Sequence, residues 1–319
     1  MLQKKEAIAK LNELGSSETP FSFYCDWLGE HWFVQEEADT DPNAFQLKIG
    51  HQHPEPISVD VDFEKFPIDF PTFTNAFDKV VSQINVGNSF LTNLTFQTPI
   101  RTNLSLQEIF QNSSAKYKLL VPNQFVVFSP ETFVQIKDQT IYSFPMKGTI
   151  DAKMHQAAEL ILGDPKELAE HVTIVDLIRN DLSQVAEEVQ VKRFRYLEKI
   201  ETNDKKLLQV SSEINGQLPS TWKSQLGTIL SLLLPAGSIS GAPKPETIRI
   251  IQTHETYERG YYTGICGNFD GASLDSGVMI RFIKQKGEQF FYCSGGGITS
   301  FSQSVKEYQE MLDKIYLPL

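Results

Sequence analysis

Segments with the composition of β-strands occur in adjacent groups along this chain. Aromatic and β-branched residues are concentrated in residues 21–50, 89–96, 124–144 and 261–298, which predicts strands there. Short turn signals within or between these groups indicate hairpins, and hairpins pair their strands antiparallel. The signals are Lys137-Asp138, Asn215-Gly216, Asp270-Gly271 and Lys286-Gly287.

Helix-like segments separate the strand groups. Helical patterns are predicted for residues 2–14, 73–86, 152–184, 222–234, 245–255 and 302–316. Because groups of antiparallel strands are interrupted by helices, the pattern favours an α+β fold with layered sheets over a doubly wound parallel sheet.

The chain has 319 residues, which suits one large domain or two ordinary ones. Residues 51–74 contain four prolines and are the best candidate for a connector. We therefore place a boundary at residue 70, between a short segment 1–70 and a larger unit 71–319. A segment as short as 1–70 buries little core by itself, so we expect it to complete the sheets of the larger unit.

The charge and the apolar content restrict the partners. The net charge is −11, whereas a nucleic-acid-binding surface needs a basic face, so no nucleic acid is expected. The most apolar stretch, residues 227–237, has eleven residues and is too short to span a bilayer. Three widely spaced cysteines fit a reducing compartment. We expect a cytoplasmic protein without membrane association.

Acidic residues are prominent on two predicted helices. Glu170 begins the segment EHVTIVDLIRNDL (170–182), where acidic residues stabilise a helix N-terminus. In VKEYQEMLDK (305–314), Glu307 and Glu310 lie three residues apart, and Lys314 follows four residues after Glu310. This spacing fits a surface salt-bridge ladder worth about 0.2–0.5 kcal/mol per pair. It also fits a carboxylate pair offered to Mg²⁺, and the spacing alone leaves both interpretations open.

Two glycine-rich segments, residues 234–244 and 294–298, precede predicted helices. Neither matches the pattern G-x-x-x-x-G-K-[ST] that binds phosphate. Adjacent glycines let backbone N–H groups approach an anion closely, but they also serve as turn residues. The pair His51 and His53 lies in a proline-rich stretch without a third metal ligand nearby, so we interpret it as incidental.

Seven motifs in a fixed order carry a family resemblance. They are SPETF (129–133), PMKGT (145–149), EHVTIVDLIRNDL (170–182), PAGSISGAPK (235–244), RGYYTGICG (259–267), GGGI (295–298) and EYQEMLDK (307–314). In this order they resemble the chorismate-utilising enzymes, which include the anthranilate, aminodeoxychorismate, isochorismate and salicylate synthases. The resemblance extends from about residue 72 to residue 317.

The resemblance implies two large packed antiparallel β-sheets flanked by helices, chorismate as the substrate and Mg²⁺ as the cofactor. Glu170 and Glu310 match the family's metal-binding glutamates, with Glu307 beside them. Glu131 matches the general acid that protonates the departing 4-hydroxyl, so we expect burial and like charge to raise its pKa. The positions that match substrate contacts are Tyr262, Arg281, Ser240, Gly241, Gly295, Gly296, Gly297 and Lys314.

Lys147 distinguishes subgroups of the family. PMKGT resembles the P-I-K-G-T of aminodeoxychorismate synthases, whereas the other subgroups resemble P-[IL]-A-G-T. A deprotonated Lys147 amine would attack C2 of chorismate while Glu131 helps to expel the 4-hydroxyl, and ammonia would then add at C4 and release the lysine. A plain contact with a substrate carboxylate is the alternative role. Isochorismate and salicylate synthases resemble G-x-x-x-K after Gly87, where Leu91 stands here, so addition of water at C2 is disfavoured.

Four positions depart from the family pattern. Leu91 replaces the usual glutamine of the aminating enzymes, Thr132 replaces the arginine of SPERF, and Phe144 precedes PMKGT where arginine is common. Gln209 occupies the place of a family histidine. Glutamine donates a hydrogen bond but carries no proton between pH 5 and 8, so we expect Gln209 to act as a donor to substrate.

The resemblance therefore predicts amination of chorismate at C4, on the route to 4-aminobenzoate and folate. The chain has no segment resembling a glutaminase nucleophile, so ammonia is expected from a separate glutamine amidotransferase subunit or from solution. The alternative within the family is an anthranilate synthase component I, which aminates C2 and eliminates pyruvate. The alternative from another class is a non-catalytic relative that acts as a subunit.

Overall fold

Buried side chains are concentrated on the central strands of the protein, such as Tyr117–Val121 and Phe125–Ser129, as expected for packed sheets. The computed structural model describes residues 1–50, 60–201 and 206–319, so the pair His51 and His53 lies outside the described residues. The strands are β1 (Leu2–Gln3), β2 (Phe21–Cys25), β3 (His31–Glu36), β4 (Gln46–Ile49), β5 (Phe63–Lys65), β6 (Leu91–Thr102), β7 (Tyr117–Val121), β8 (Phe125–Ser129), β9 (Thr132–Lys137), β10 (Thr140–Ser143), β11 (Met146–Asp151), β12 (Glu187–Glu201), β13 (Lys206–Gln217), β14 (Gly241–Ala242), β15 (Ile265–Phe269), β16 (Leu274–Val278), β17 (Phe282–Lys286) and β18 (Gln289–Ile298).

Local signals start several of the helices. Asp69 caps α2 by accepting a hydrogen bond from the backbone N–H of Thr72, and Ser105 with Glu108 forms a capping box at α3. The helices are α1 (Lys4–Ser16), α2 (Phe70–Asn85), α3 (Leu106–Asn112), α4 (Ala157–Gly163), α5 (Pro165–Leu182), α6 (Leu226–Leu233), α7 (Gly237–Ser240), α8 (Lys244–His254) and α9 (Ser304–Asp313), with short 3₁₀ turns at Glu37–Asp39 and Trp222–Gln225.

Two antiparallel sheets contain the strands of the described residues. The larger sheet has the order β1-β3-β2-β15-β16-β9-β10-β13-β11, with β12 paired to β13. The smaller sheet has the order β14-β6-β18-β17-β8-β7-β4, with β5 paired to β6. This arrangement confirms the predicted α+β fold with two large antiparallel sheets.

The hydrophobic clusters indicate four layers. Tyr24 of the larger sheet and Phe125 of the smaller sheet belong to one cluster, so the two sheets pack face to face. A second cluster joins the other face of the larger sheet to α1, α5 and α6. Two further clusters join the outer face of the smaller sheet to α2, α3 and α9. Each sheet is therefore covered by helices on its outer face.

Strands from before residue 70 pair within both sheets. β2 pairs with β15, whereas β4 and β5 pair with β7 and β6. Helix α1 packs against α6, where the backbone of Ile8 comes close to Gly227. The division of the chain at residue 70 stays a prediction.

The predicted turn at Asn215-Gly216 is wrong. Both residues lie inside β13, where Gly216 pairs with Ile141 of β10. A Cβ atom on Gly216 would come within 2.8 Å of a methyl carbon of Val189, so this glycine permits close packing of β12. The other three turns are confirmed, because they connect β9 to β10, β15 to β16, and β17 to β18.

Close packing of α1 on α6 makes Gly227 a sensitive position. In an unhindered helix, replacing glycine by alanine stabilises by about 0.5–1 kcal/mol. Here the new Cβ would lie 2.6 Å from the carbonyl oxygen of Ile8 and 2.9 Å from Cβ of Leu11. We expect Gly227→Ala to lower the free energy of unfolding by about 1–3 kcal/mol in urea denaturation.

Gly163 provides the matched control for this substitution. It ends α4, and a Cβ atom there would meet nothing within 4 Å. Gly163→Ala should leave stability unchanged or raise it slightly. A stabilised Gly227→Ala protein would contradict the tight α1–α6 contact.

Candidate active site

Several segments that carry the sequence motifs meet at the C-terminal end of β18. A Cβ atom on Gly297 would lie 3.0 Å from Cδ1 of Leu91 and 3.3 Å from Nζ of Lys147. A Cβ atom on Gly296 would lie 3.4 Å from Oε1 of Glu310 and 3.5 Å from Oε2 of Glu307. The glycines thus leave room for β6, β11 and α9 to approach one strand end.

Lys147 stands between β18 and helix α5. Its Nζ atom is 3.9 Å from Oε2 of Glu170, and the Lys147 side chain is 24% exposed. Glu170 is buried in α5. Lys147 is therefore a partly accessible amine that lies between a buried carboxylate and Gly297.

The carboxylates offer a limited set of metal ligands. Within residues 1–50, 60–201 and 206–319, no group of three or more His, Cys, Asp and Glu side chains is placed to hold a metal ion. Glu307 and Glu310 form a pair beside Gly296. Mg²⁺ is commonly held by one or two carboxylates together with oxygens of an anionic substrate. Glu307 and Glu310 would supply two carboxylates of this kind, and the addition of Glu170 as a third ligand stays a prediction.

Glu131 follows β8 and accepts a hydrogen bond from the hydroxyl of Ser238 in α7. Burial raises the pKa of the Glu131 carboxyl, although the Ser238 hydrogen bond and the charges of Lys147, Arg281 and Lys314 act in the opposite direction. The net shift is upward, which favours the protonated acid closer to neutral pH. These three cations therefore lie close enough to Glu131 to act on its charge.

Lys314 follows α9 and lies at the same strand end. Its ammonium group donates to the carbonyl oxygen of Gly295 at 2.8 Å and to Oε1 of Glu310 at 2.6 Å. Burial lowers the pKa of Lys314, and repulsion from Arg281 and Lys147 adds to this effect while Glu310 opposes it. An anion placed among these cations would relieve their mutual repulsion.

Arg281 borders the smaller sheet, whereas Tyr262 lies in the turn that precedes β15 of the larger sheet. Arg281 precedes β17 with a backbone φ of 54°, and its Nε atom donates to the hydroxyl of Tyr316 at 3.4 Å. Tyr262 is buried and its ring packs against Phe282. Burial raises the pKa of the Tyr262 hydroxyl, so this side chain is a neutral hydrogen-bonding group.

In the glycine-rich segment 234–244, backbone N–H groups are already engaged in hydrogen bonds within the protein. The N–H of Ser240 donates to Ala236, and the N–H of Gly241 donates to Gly237, so both are already used within α7. Gly241 is required by its own surroundings, because its φ is +117° and a Cβ atom would lie 1.8 Å from the carbonyl oxygen of Leu91. A role for Ser240 and Gly241 as anion contacts stays a prediction.

Three of the four departures from the family pattern, Leu91, Thr132 and Gln209, are buried, and Phe144 is partly buried. Gln209 lies in β13 opposite Thr149, two residues beyond Lys147 in the neighbouring strand. Thr132 accepts a hydrogen bond from Nζ of Lys116 at 2.8 Å. The Lys116 ammonium therefore places a positive charge next to the position where the family pattern has arginine. Phe144 stacks on Tyr142, with ring centroids 6.3 Å apart.

Sequence reasoning missed two residues of α5. A Cβ atom on Gly148 would lie 2.9 Å from Oε2 of Glu167, so this carboxylate adjoins the backbone next to Lys147. Glu167 and Glu170 are three residues apart, as are Glu307 and Glu310. This repeated spacing could have identified Glu167 from the sequence. His171 is buried and shares a 2.7 Å hydrogen bond with Ser212 through Nε2. Burial lowers the His171 pKa to about 4, with repulsion from Arg195 and Lys147, so the ring is neutral at pH 7.

Comparison with known proteins identifies the family of this chain. The family model of chorismate binding enzymes matches residues 21–319. An "Uncharacterized PabA-like protein" of Haemophilus influenzae is 48% identical over 317 residues, which are 98% of this chain and 96% of that protein. Aminodeoxychorismate synthase component 1 of Bacillus subtilis is 30% identical over 259 residues, which are 76% of this chain and 54% of that protein. Anthranilate synthase component 1 of Arthrobacter globiformis is 36% identical over 200 residues, covering 60% of this chain and 36% of that protein.

Solved structures share the fold. Anthranilate synthase component I from Streptococcus pneumoniae superposes with a TM-score of 0.68 at 26% identity, covering 80% of this chain and 58% of that one. A putative 2,3-dihydroxybenzoate-specific isochorismate synthase from Bacillus anthracis has a TM-score of 0.68 at 18% identity and covers 98% of this chain and 86% of that one. No helix within the described residues is long and apolar enough to span a membrane. From its motifs, its fold and these relatives, the chain belongs to the family of chorismate-binding enzymes.

Proposed function

We propose that this chorismate-utilising enzyme is an aminodeoxychorismate synthase component I, which forms 4-amino-4-deoxychorismate from chorismate and ammonia. The observation that carries the proposal is Lys147, whose amine lies beside Gly297 and 3.9 Å from Glu170. The Bacillus subtilis relative with the same reaction in its name supports it. Leu91 beside Lys147 has no basic group to activate water, which disfavours hydration of the ring.

In the proposed reaction, the residues of this chain divide two tasks. The Lys147 amine forms a bond to C2 of chorismate, both conjugated ring double bonds shift, and the 4-hydroxyl leaves as water with the proton of Glu131. Ammonia then adds at C4, both double bonds shift back, and the bond from C2 to Lys147 breaks to regenerate the amine. The proton that the added nitrogen loses returns to the Glu131 carboxylate. Lys314 and Arg281 orient the substrate carboxylates through charge-assisted hydrogen bonds.

Mg²⁺, when bound, would offset the repulsion between the substrate carboxylate and the protein carboxylates. Glu170, Glu307 and Glu310 are the residues proposed to hold it. Ammonia is proposed to come from a separate glutamine amidotransferase subunit. Ammonium salt replaces that partner in the experiments below.

Product analysis is the decisive test of the proposed reaction. The purified chain is incubated with chorismate, Mg²⁺ and ammonium salt, and the products are separated by chromatography with mass detection. We expect 4-amino-4-deoxychorismate, and we expect little turnover when EDTA removes Mg²⁺. Fluorescent anthranilate formed without an added lyase would assign the chain to the anthranilate synthases instead. No consumption of chorismate would favour the non-catalytic alternative.

Substitution of Lys147 separates its two possible roles. If the amine is the nucleophile, Lys147→Ala should lower kcat by roughly 10²-fold or more. If the amine only contacts a carboxylate, KM for chorismate should rise while kcat is retained. Steady-state kinetics of amination measure both. The exposed neighbour Lys153 supplies the control, and Lys153→Ala should behave like the wild type.

The pH dependence tests Glu131 as the acid. Because a general acid acts in its protonated form, kcat should fall as pH rises through the raised pKa of Glu131. Ser238→Ala removes a hydrogen bond that stabilises the carboxylate form. This should raise the pKa further and move the alkaline limb of the kcat profile upward by up to about one pH unit. The control Ser224→Ala should leave the profile in place, and a downward shift for Ser238→Ala would contradict the assignment.

A further inference from the structure

A buried ion pair lies next to the candidate site but is not used in the proposed reaction. Arg259 and Glu255 are 1% and 2% exposed, and their closest N–O distance is 2.7 Å. Nε of Arg259 donates to Oε2 of Glu255 at 2.9 Å, and Nη2 donates to Oε1. The contact is bidentate, so the planar guanidinium is fixed in orientation.

The remaining N–H groups of Arg259 donate hydrogen bonds to three residues outside the ion pair. Nη1 donates to the carbonyl oxygen of Ile239 at 3.0 Å and to the hydroxyl of Thr263 at 3.3 Å. Nη2 donates to the carbonyl oxygen of Asn93 at 2.6 Å. With the two contacts to Glu255, these account for the five N–H donors of an arginine. Arg259 therefore has no hydrogen left for a substrate.

Glu255 binds β6 as well, at Thr95, two residues after Asn93. Its Oε1 atom accepts from the backbone N–H of Thr95 at 2.8 Å and from the Thr95 hydroxyl at 2.7 Å. On this edge, β6 pairs with β14 at Leu91 and Thr92 and with β5 from Ile100 onward. Between those stretches, no strand of the described residues neighbours this edge. The ion pair satisfies backbone groups that a neighbouring strand would otherwise bind.

The residues that the pair holds lie directly opposite the predicted anion-binding glycines. Asn93 pairs with Gly297, and Thr95 pairs with Gly295, across β6 and β18. Because the Thr95 N–H and the Asn93 carbonyl point away from β18, these are non-hydrogen-bonded pairs of the antiparallel ladder. The backbone groups of Gly295 and Gly297 then point away from β6. The contact of the Gly295 carbonyl with Lys314 agrees with this orientation.

We propose that the Arg259–Glu255 ion pair is a positioning element of the chorismate site, which fixes β6 and through it the direction of the Gly295 and Gly297 backbone. The inference rests on the chorismate site of the proposed function and is independent of which product is formed. Arg259 also accepts a backbone hydrogen bond from Tyr262, so the pair connects two predicted substrate-binding segments. Neither Arg259 nor Glu255 touches the reacting atoms.

The test combines direct binding with kinetics. Arg259→Lys keeps the charge but cannot make five directed contacts. The Gly295 and Gly297 backbone would contact the substrate carboxylates, which do not take part in the reaction. Losing these contacts should therefore weaken binding in the ground and transition states alike, which raises KM while kcat is retained. We expect the chorismate Kd from calorimetry, and KM in parallel, to rise about tenfold or more, with kcat within about threefold of the wild type.

Two further variants separate positioning from stability. Glu255→Gln keeps an acceptor for Thr95 but loses the charge, so its Kd should lie between the wild type and Arg259→Lys. Leu11→Ala removes a fully buried side chain in the cluster that contains α1, and should lower the melting temperature without changing Kd. If Arg259→Lys does not fold, Glu255→Gln decides the question alone.

The outcomes are distinct from those for the proposed reaction. Unchanged Kd and KM in both ion-pair variants, with a melting temperature lowered as in Leu11→Ala, would overturn the positioning role. A fall in kcat without any change in Kd would overturn it as well. Tight chorismate binding with a different product would refute the proposed amination but leave this inference standing.

Discussion

The pairing of β6 with β18 is the interaction on which the site depends. It places Gly295–Gly297 opposite Asn93–Thr95 and brings Leu91 to the end of the glycine run. Three consecutive glycines allow this close approach, because a Cβ atom on Gly295 would lie 2.1 Å from the carbonyl oxygen of Leu94. Lys147, Glu307 and Glu310 then reach the strand end from β11 and α9. Any shift of this register would separate the groups that the chemistry needs.

Electrostatics at the site depend on opposed charges held close together. Lys147 faces Glu170, and Lys314 is paired with Glu310. The proposed dianionic substrate and Mg²⁺ would offer these groups opposite charges to pair with. The acidity of the chain, with a net charge of −11, reflects a solvated surface together with these carboxylates.

Many residues of the candidate site could be named from the sequence because they belong to motifs with a recognisable order and spacing. The E-x-x-E spacing on α9 indicated either a salt-bridge ladder or a carboxylate pair, and the structure shows Glu310 paired with Lys314 while Glu307 and Glu310 lie beside Gly296. The same spacing on α5 was the available signal for Glu167. The paired strands β12 and β13 were harder to predict. Charged residues occupy much of β12, and Asn215-Gly216 imitates a turn while Gly216 serves a close contact between strands. A local turn signal has no information about a strand that arrives from elsewhere in the chain.

The sequence alone determined the α+β layering, since periodicity is a local property, and the order of the motifs, whose resemblance to the chorismate-utilising enzymes implied the site residues. Only the tertiary structure decided which groups meet. The ion pair that holds β6 joins Arg259 to Asn93, 166 positions away. The cation beside Thr132 comes from Lys116, which immediately precedes β7. Such contacts arise from the packing of distant segments, which no local pattern encodes, because burial forces each polar group to find whichever partner the fold brings within reach.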